Sequence, residues 1–421
     1  MVKFIHAADI HLDSPLRGLE RYEGVPSLAR SATRDALERL VELALDEQVS
    51  FVLLAGDLYD GDWRDYSTGL YFRRQMNRLR EAGIRVFWIR GNHDAASQIA
   101  LRLTLPEHVR ELSCAEPETV ILDELGVALH GQGYAQRAVT DNLARTFPPP
   151  IPGMVNIGLL HTALEGREGH EPYAPCTAEE LVNKGYDYWA LGHVHAREVV
   201  HQEPWIIYPG VLQGRHIRET GPKGCTLVTL EHGRVTRVEH RDLDVLRWCS
   251  CPIDCSPAAD LDGLLELVRS SVRQEMEAAQ GRCLGLRFEL SGQTPLDRDL
   301  RRNPGRLEAE IRAAVQEELG DGGWVEKIKL RTSSPQRQLA QEFLPAGFLQ
   351  QFFSTLDQDP ELLAAVQDCF QEMKAKVPGE LFAEYPELDL EDPQAFQALL
   401  HEARSLAELV LSPEEGTEDE D

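Results

Sequence analysis

The 421-residue chain has no CxxC pair among its eight cysteines and no excess of basic charge. It also has no continuous apolar run of the about 18 residues that a membrane-spanning helix needs. Each absence removes a class of protein. A disulfide scaffold is a short chain with closely paired cysteines, which this is not. The N-terminus MVKFIHAADIHL offers only a short apolar stretch, already interrupted by His6 and Asp9, and no small-residue cleavage site, so it does not read as a secretory signal. The expectation is a cytoplasmic protein without membrane association. A net charge of −27 runs against a general nucleic-acid binder, which is ordinarily basic. There is no internal repeat, and no aromatics interleave with basic residues as in a single-strand stacking platform.

What is present is globular. Hydrophobic residues make up 42% and charged residues 27%, enough for a sizeable core, and the length suits two or three domains. The negative charge is concentrated. Residues 338–421 hold 20 acidic and 3 basic residues, a net of −17, which leaves −10 for the first 337. The last ten, SPEEGTEDED (412–421), read as a solvated, disordered tail.

Apolar runs and helical spacings alternate at the start of the chain. VKFIHAA, FVLLAG and IRVFWIRG read as strands, with helices over 27–47 and 67–82 between them. That β-α-β-α-β order implies parallel strands covered by helices. TVILD, GVALHG, VNIGLLH, DYWALGH and WIIYPG are further strands, and CTLVTLEHGRVTRVEHRDL reads as a hairpin turning at His232-Gly233. A mixed α/β domain therefore spans about 1–245. Residues 250–335 read as a smaller α+β module: a helix from Leu261 to Ala279, a strand in GRCLGLRFELSG, a helix from Arg306 to Glu318 and a strand in WVEKIKLRT. Residues 336–411 read as helical, with apolar stripes at Phe343, Phe348, Phe352, Phe353 and Leu356 and again from Phe396 to Val410. Cys249, Cys251 and Cys255 admit a thiolate metal site but read first as reduced structural thiols.

Five short motifs sit at or just after expected strand ends: Asp9-Ile-His11, Gly56-Asp57, Gly91-Asn92-His93-Asp94, His161, and Gly192-His193-Val194-His195. Ligands of open α/β sheets collect at the carboxyl ends of strands. Asp9, Asp57 and Asn92 offer oxygens; His11, His161, His193 and His195 offer imidazole nitrogens. Seven ligands are too many for one ion but suit two ions sharing a carboxylate. The mixed oxygen and nitrogen set fits Mn²⁺, Fe²⁺ or Zn²⁺ better than Mg²⁺. Gly56, Gly91 and Gly192 precede ligands where a side chain would crowd a tight exit. For His108, His170, His201, His232, His240 and His401 an ordinary structural or surface role is the expectation.

In order and spacing these motifs resemble the calcineurin-like metallophosphoesterases over about residues 1–245. AADIHLDSPL, GDLYDGDWRDYSTGLYF and YPGVLQGRHIRETGPKG make the chain look like the SbcD-type DNA repair nucleases, in their YhaO-like bacterial branch. The resemblance implies a four-layer α/β/β/α sandwich, then a small capping domain at 250–335 and the acidic helical C-terminal region. It implies one ion held by Asp9, His11, Asp57 and His195, another by Asp57, Asn92, His161 and His193, and most often Mn²⁺. His93 would contact the phosphate and act as general acid, with Asp60 orienting it; Asp60 also reads as a loop-solvating aspartate. Arg215, His216, Arg218 and Lys223 would touch the DNA backbone, or form an ordinary basic loop. Arg298, Arg301, Arg302 and Arg306 are a second basic set, interrupted by Asp297, Asp299 and Glu308, that reads first as a solvated face. The implied function is a Mn²⁺-dependent DNA exonuclease or endonuclease in DNA repair. Its implied partners are DNA, an SbcC-like coiled-coil ATPase on which the C-terminal helices would dock, and a second copy of the chain. A phosphatase or phosphodiesterase for nucleotides or other small esters, and a non-catalytic DNA- or ATPase-binding subunit, are the alternatives.

Overall fold

A computed structural model describes residues 1–14, 31–60, 66–96, 105–164 and 173–334, with Leu399 beyond them. The expectations for residues 336–421, including both apolar stripes and the acidic tail, lie outside these apart from Leu399. The described residues fall into two compact units: one within Met1–Gly292 with Pro304–Thr332, and one holding Gln293–Asn303 with Ser333 and Ser334.

The first unit begins with β1 (Val2–Ala7), α1 (Ala32–Asp46), β2 (Phe51–Leu54), α2 (Tyr66–Glu81), β3 (Arg85–Trp88), the short α3 (Asn92–Ala96) and β4 (Val109–Glu111). It continues with β5 (Glu118–Leu122), β6 (Val127–Gln132), β7 (Val155–His161), α4 (Ala178–Asn183), β8 (Tyr188–Gly192), β9 (Glu198–Gln202), β10 (Trp205–Tyr208), β11 (Gly224–Glu231) and β12 (Arg234–Asp242). One six-stranded sheet has the order β12-β11-β1-β2-β3-β4, the other β5-β6-β7-β8-β10-β9. β1 to β4 run parallel, as do β6, β7, β8 and β10.

Alternation along the strands builds the layers. Phe4, Phe51, Leu53, Phe87 and Ile89 point one way and pack with Leu129, Ile157, Leu159 and Tyr188 of the other sheet. Ile5, Ala7, Val52, Leu54 and Val86 point the other way, onto Leu37, Leu40, Val41 and Phe72 of α1 and α2. On the far side, Leu160, Trp189, Leu191 and Ile206 pack with Leu181 of α4 and Phe147. Helix, sheet, sheet, helix is the resulting order. His6 is buried between the sheets, bonded to Tyr188 Oη and Leu191 O at 3.0 Å each. Burial holds its imidazole down at about 3, so it is neutral and structural.

In the first unit the middle module has β13 (Leu246–Asp254), α5 (Leu261–Ala279), β14 (Cys283–Gln293), α7 (Pro304–Leu319) and β15 (Gly323–Ser333), in sheet order β13-β14-β15, while α6 (Asp297–Arg302) belongs to the second. Asp260 caps α5 by accepting the Gly263 N–H at 2.8 Å, and Gln280 ends it in the left-handed region. Cys249, Cys251, Cys255 and Cys283 are buried free thiols. Burial lifts them well above the ordinary thiol range, Cys251 to about 12, and none belongs to a ligand cluster among the described residues. In the second unit, Arg301 donates to Asp297 at 3.0 Å within α6. In α7 of the first unit, Arg306 lies 3.9 Å from Glu310. No described helix is long and apolar enough to cross a membrane.

Candidate metal centre

Five motif segments converge at the carboxyl ends of the central strands. The loops after β1 and β2 run side by side: Asp9, His11 and Leu12 donate backbone N–H to Gly56 O, Asp57 O and Leu58 O at 2.9–3.0 Å. β7 ends in His161, and β8 ends at Gly192, so His193 and His195 follow immediately. Asp9, His11 and His161 are wholly buried, and Asp57, Asn92 and His193 nearly so.

The backbone is held in rare conformations to achieve this. Asp9, His11, Asp57 and His193 have φ of 51°, 44°, 51° and 99°, a region where side chains other than glycine are uncommon. The glycines leave room at the tightest approaches. A Cβ on Gly91 would meet Asp57 Oδ1 at 2.2 Å, and one on Gly192 would meet Ala55 O at 1.9 Å.

Three groups of side chains bring their ligand atoms within 4.8 Å of one another: Asp9, His11 and His195; His11, Asp57 and His93; and Asp9, Asp57 and His161. Asn92 Oδ1 lies 3.0 Å from His161 Nε2, and the His193 ring centroid is 5.2 Å from that of His161. The His193 backbone N–H donates to the Asp9 carboxylate at 3.0 Å. Thus all seven residues read as metal ligands are gathered into one cluster.

The electrostatics fit divalent cations. Both ring nitrogens of His11 are buried without a hydrogen-bond partner, an arrangement costly for a neutral protein site. Burial, then the Asp57 charge, hold the Asp9 carboxyl well above the usual carboxylate range. Burial pulls His11 and His161 down to about 3, so both imidazoles carry free lone pairs at neutral pH. Buried carboxylates crowded together beside neutral imidazoles are a donor set that a divalent ion stabilises.

Around this cluster lies a second ring of contacts. His93 Nδ1 is 2.9 Å from Asp60 Oδ1, and Ser14 Oγ donates to Asp60 Oδ2 at 2.7 Å. Burial alone would lower the His93 imidazole, but the bond to Asp60 and the Asp57 charge outweigh it and raise its pKa. His161 Nδ1 is 2.9 Å from Ala55 O, which fixes its ring, and Tyr134 Oη donates to His161 O at 2.7 Å.

A family model for calcineurin-like phosphoesterases matches residues 2–197, and one described as the middle domain of metallophosphoesterase YhaO matches residues 248–333. An uncharacterized metallophosphoesterase, YhaO of Bacillus subtilis (strain 168), is 36% identical over 332 residues, covering 78% of this chain and 80% of its own. The chain belongs to the calcineurin-like metallophosphoesterases, on their YhaO-like branch. The DNA double-strand break repair protein Mre11 of Methanopyrus kandleri is 28% identical over 229 residues; the metallophosphoesterase spans 48% of that relative's length. Mre11 of Sulfurisphaera tokodaii is 25% identical over 258 residues, 58% of this chain and 63% of its own. Among solved structures, a dimetal phosphatase from Danio rerio aligns with 57% of this chain and 96% of its own, at 12% identity and a TM-score of 0.36.

The four basic residues of the loop after β10 differ in exposure. Lys223 is buried, 9% exposed, and burial lowers its pKa. Arg215 turns inward, with its guanidinium 3.4 Å from Ser14 Oγ, 3.6 Å from Glu219 and 3.7 Å from Asp60. His216 and Arg218 are the exposed pair of the four.

Two carboxylates were not singled out from sequence. Asp94, buried beneath the site, accepts backbone N–H groups from Leu58, Tyr59 and Gly91 at 3.0–3.2 Å, tying the β2 loop to the β3 loop. Burial, then the Asp57 charge, push it up to about 7. The Gly91-Asn92-His93-Asp94 motif contained it, and its place in that motif was the available signal. Glu219 Oε1 is 2.7 Å from His195 Nδ1, and no pattern in the sequence marks it.

Proposed function

We propose that this metallophosphoesterase is a two-metal phosphodiesterase that cleaves DNA. The observation that carries the two-metal reading is the sharing of Asp9, Asp57 and His11 among three overlapping ligand groups. Asp9, His11, Asp57 and His195 would hold one divalent ion, and Asp57, Asn92, His161 and His193 the other, with Mn²⁺ the first choice. Such a pair, when bound, lowers the pKa of an attacking water and neutralises charge on the phosphate. The chain's own residues do the rest. His93, held by Asp60 and carrying a raised pKa, keeps a proton for the leaving oxygen. Buried Asp94 fixes the backbone that presents Asp57 and Asn92. His161, locked by Ala55 O, cannot rotate out of place.

The DNA substrate is supported by the similarity to proteins named for double-strand break repair. An SbcC-like coiled-coil ATPase belongs to the same reading, as does dimerisation of the chain. A small phosphodiester is the competing substrate, and it is favoured by the inward placement of Arg215 and Lys223, which leaves only His216 and Arg218 of these four basic residues exposed.

Incubation with Mn²⁺ and three substrates separates the two: end-labelled linear DNA, closed circular single-stranded DNA, and bis-p-nitrophenyl phosphate. DNA cleavage that His93→Gln abolishes is the expected result, with the circle distinguishing internal from terminal cutting. Hydrolysis of the small diester alone, with and without the ATPase, would contradict the DNA reading. Deleting residues 336–421 and assaying ATPase binding tests the docking role of the C-terminal region; retained binding would contradict it.

A further inference from the structure

The loop between β10 and β11 joins the candidate metal centre to the middle module. On its inner side Glu219 is buried, 7% exposed, though it is a carboxylate. Its Oε1 is 2.7 Å from His195 Nδ1, and its Oε2 accepts the Arg215 backbone N–H at 2.7 Å. The Arg215 guanidinium also approaches His195 Nδ1, at 3.4 Å, but a guanidinium can only donate. The shorter contact with the carboxylate therefore sets the tautomer. Nδ1 carries the proton, and Nε2 is left as the nitrogen with a lone pair for the Asp9 and His11 cluster.

On its outer side the same loop is gripped by β13. Gln213, buried at 1% exposure, donates to Leu246 O at 2.6 Å and accepts the Val245 N–H at 2.9 Å. Trp248 Nε1 donates to Gly214 O at 3.0 Å, and the Gly221 N–H returns to Trp248 O at 3.1 Å. Ile217 packs on Val245, Leu246, Trp248 and Trp324. The start of the module is itself fixed. Asp244, wholly buried, takes Arg247 Nε and Arg282 Nε at 2.9 Å each, while Arg39 of α1 donates to its carbonyl at 2.7 Å. Backbone and indole bonds, a buried ion cluster and an aromatic contact thus run from the module to a single carboxylate beside a single histidine.

We propose that Glu219 is a positioning residue for His195 and that the middle module, through β13, holds the loop that carries it. The module then acts as a wall of the metal centre. This rests on the two-ion reading, in which His195 ligates one ion only. Losing the carboxylate therefore weakens one site and spares the other. A carboxylate that orients a ligating imidazole is ordinarily worth roughly 10–100-fold in metal affinity.

The test is equilibrium titration of the full-length protein with Mn²⁺, read by calorimetry, with thermal melting as the folding control. Glu219→Ala is expected to weaken one of two ions by about 10–100-fold and leave the other unchanged. Glu219→Gln recovers most of that loss, because its amide oxygen still accepts the imidazole N–H. Trp248→Phe keeps a ring in the cluster but removes the bond to Gly214. It is expected to speed amide exchange over residues 214–221 and to weaken the same ion. Wild-type affinity for both ions in Glu219→Ala overturns the positioning role. A loosened loop with unchanged affinity in Trp248→Phe overturns the role of the module. A wild-type chain that binds fewer than two ions overturns the two-ion reading itself, and this inference with it.

Discussion

Among the described residues, the loops that leave β1, β2 and β8 hold five non-glycine residues at positive φ, Asp13 and, at the centre, Asp9, His11, Asp57 and His193, while the whole stretch from β13 to β15 holds one, Gln280. The one in the middle module is an ordinary helix ending. The four at the centre are buried, polar and crowded, and His11 has both ring nitrogens unpartnered. The same chain follows the rules of local propensity in one region and breaks them repeatedly in another. Strain and unsatisfied polarity persist where surrounding structure over-determines them. Here the over-determination comes from Asp94, from the paired loops after β1 and β2, and from the glycines that let backbones meet.

The comparison can be broken most severely at His93. His93→Gln removes the proposed proton donor while sparing the Asp9–Asp57–His161 group. Turnover of a phosphodiester is expected to fall about 100- to 10,000-fold with metal occupancy unchanged. Near wild-type turnover would remove His93 from the chemistry.

Gly192→Ala tests the packing side. Its Cβ would stand 1.9 Å from a backbone carbonyl, which cannot swing aside as a flexible side chain can. A loss of about 3 kcal/mol in denaturant unfolding of the metal-free protein is expected. Unchanged stability would mean that the β2 and β8 exits are looser than the structure has them.

Proton linkage gives a smaller effect with a definite sign. Asp9 in the metal-free chain holds its proton above the usual carboxylate range, whereas His11 and His161, at about 3, are already deprotonated. A cation must displace the Asp9 proton but none from these two imidazoles. Metal affinity should therefore climb with pH through the raised Asp9 titration, with proton release seen in buffers of different ionisation enthalpy. A pH-independent affinity would contradict the assignment.

The mildest test sharpens the contrast directly. Gln280→Gly relieves a left-handed residue at a helix end and should stabilise the protein by about 0.5–1 kcal/mol, with activity untouched. The same substitution at Asp57 relieves the same backbone strain but removes the carboxylate proposed to be shared by two ions. If Gln280→Gly also altered activity, the division between the two regions would fail.

Much of this contrast was legible in the sequence. Apolar runs ending in Asp, Asn or His placed the five motifs at strand exits. His232-Gly233 marked the β11–β12 turn, where both residues have positive φ. The α5 helix runs from Leu261 to Ala279 as its spacing predicts. Other parts were hidden for physical reasons. β4 and β9 are short and partly exposed, without a strong apolar period. β13 contains Arg247, Cys249, Ser250, Cys251 and Pro252, a composition that masks a strand held by its pairing with β14. Asp94 and Glu219 bind backbone and imidazole rather than ions. Glu219 meets His195, 24 residues before it, and spacing carried no sign of that role; Asp94 was signalled only by its place in the Gly91-Asn92-His93-Asp94 motif. Arg215 and Lys223 read as surface charge because a run of basic residues does not reveal which of them turn inward.

The central claim is that Asp57 lies between two ions held by loops from both sheets. The most direct measurement is the number of Mn²⁺ ions bound per chain in the wild-type protein and in Asp57→Asn, by equilibrium dialysis with elemental analysis. Two ions in the wild type, with occupancy largely lost in Asp57→Asn while the protein stays folded, is the predicted result. A wild-type chain that binds none, or an Asp57→Asn chain that keeps both, would contradict it.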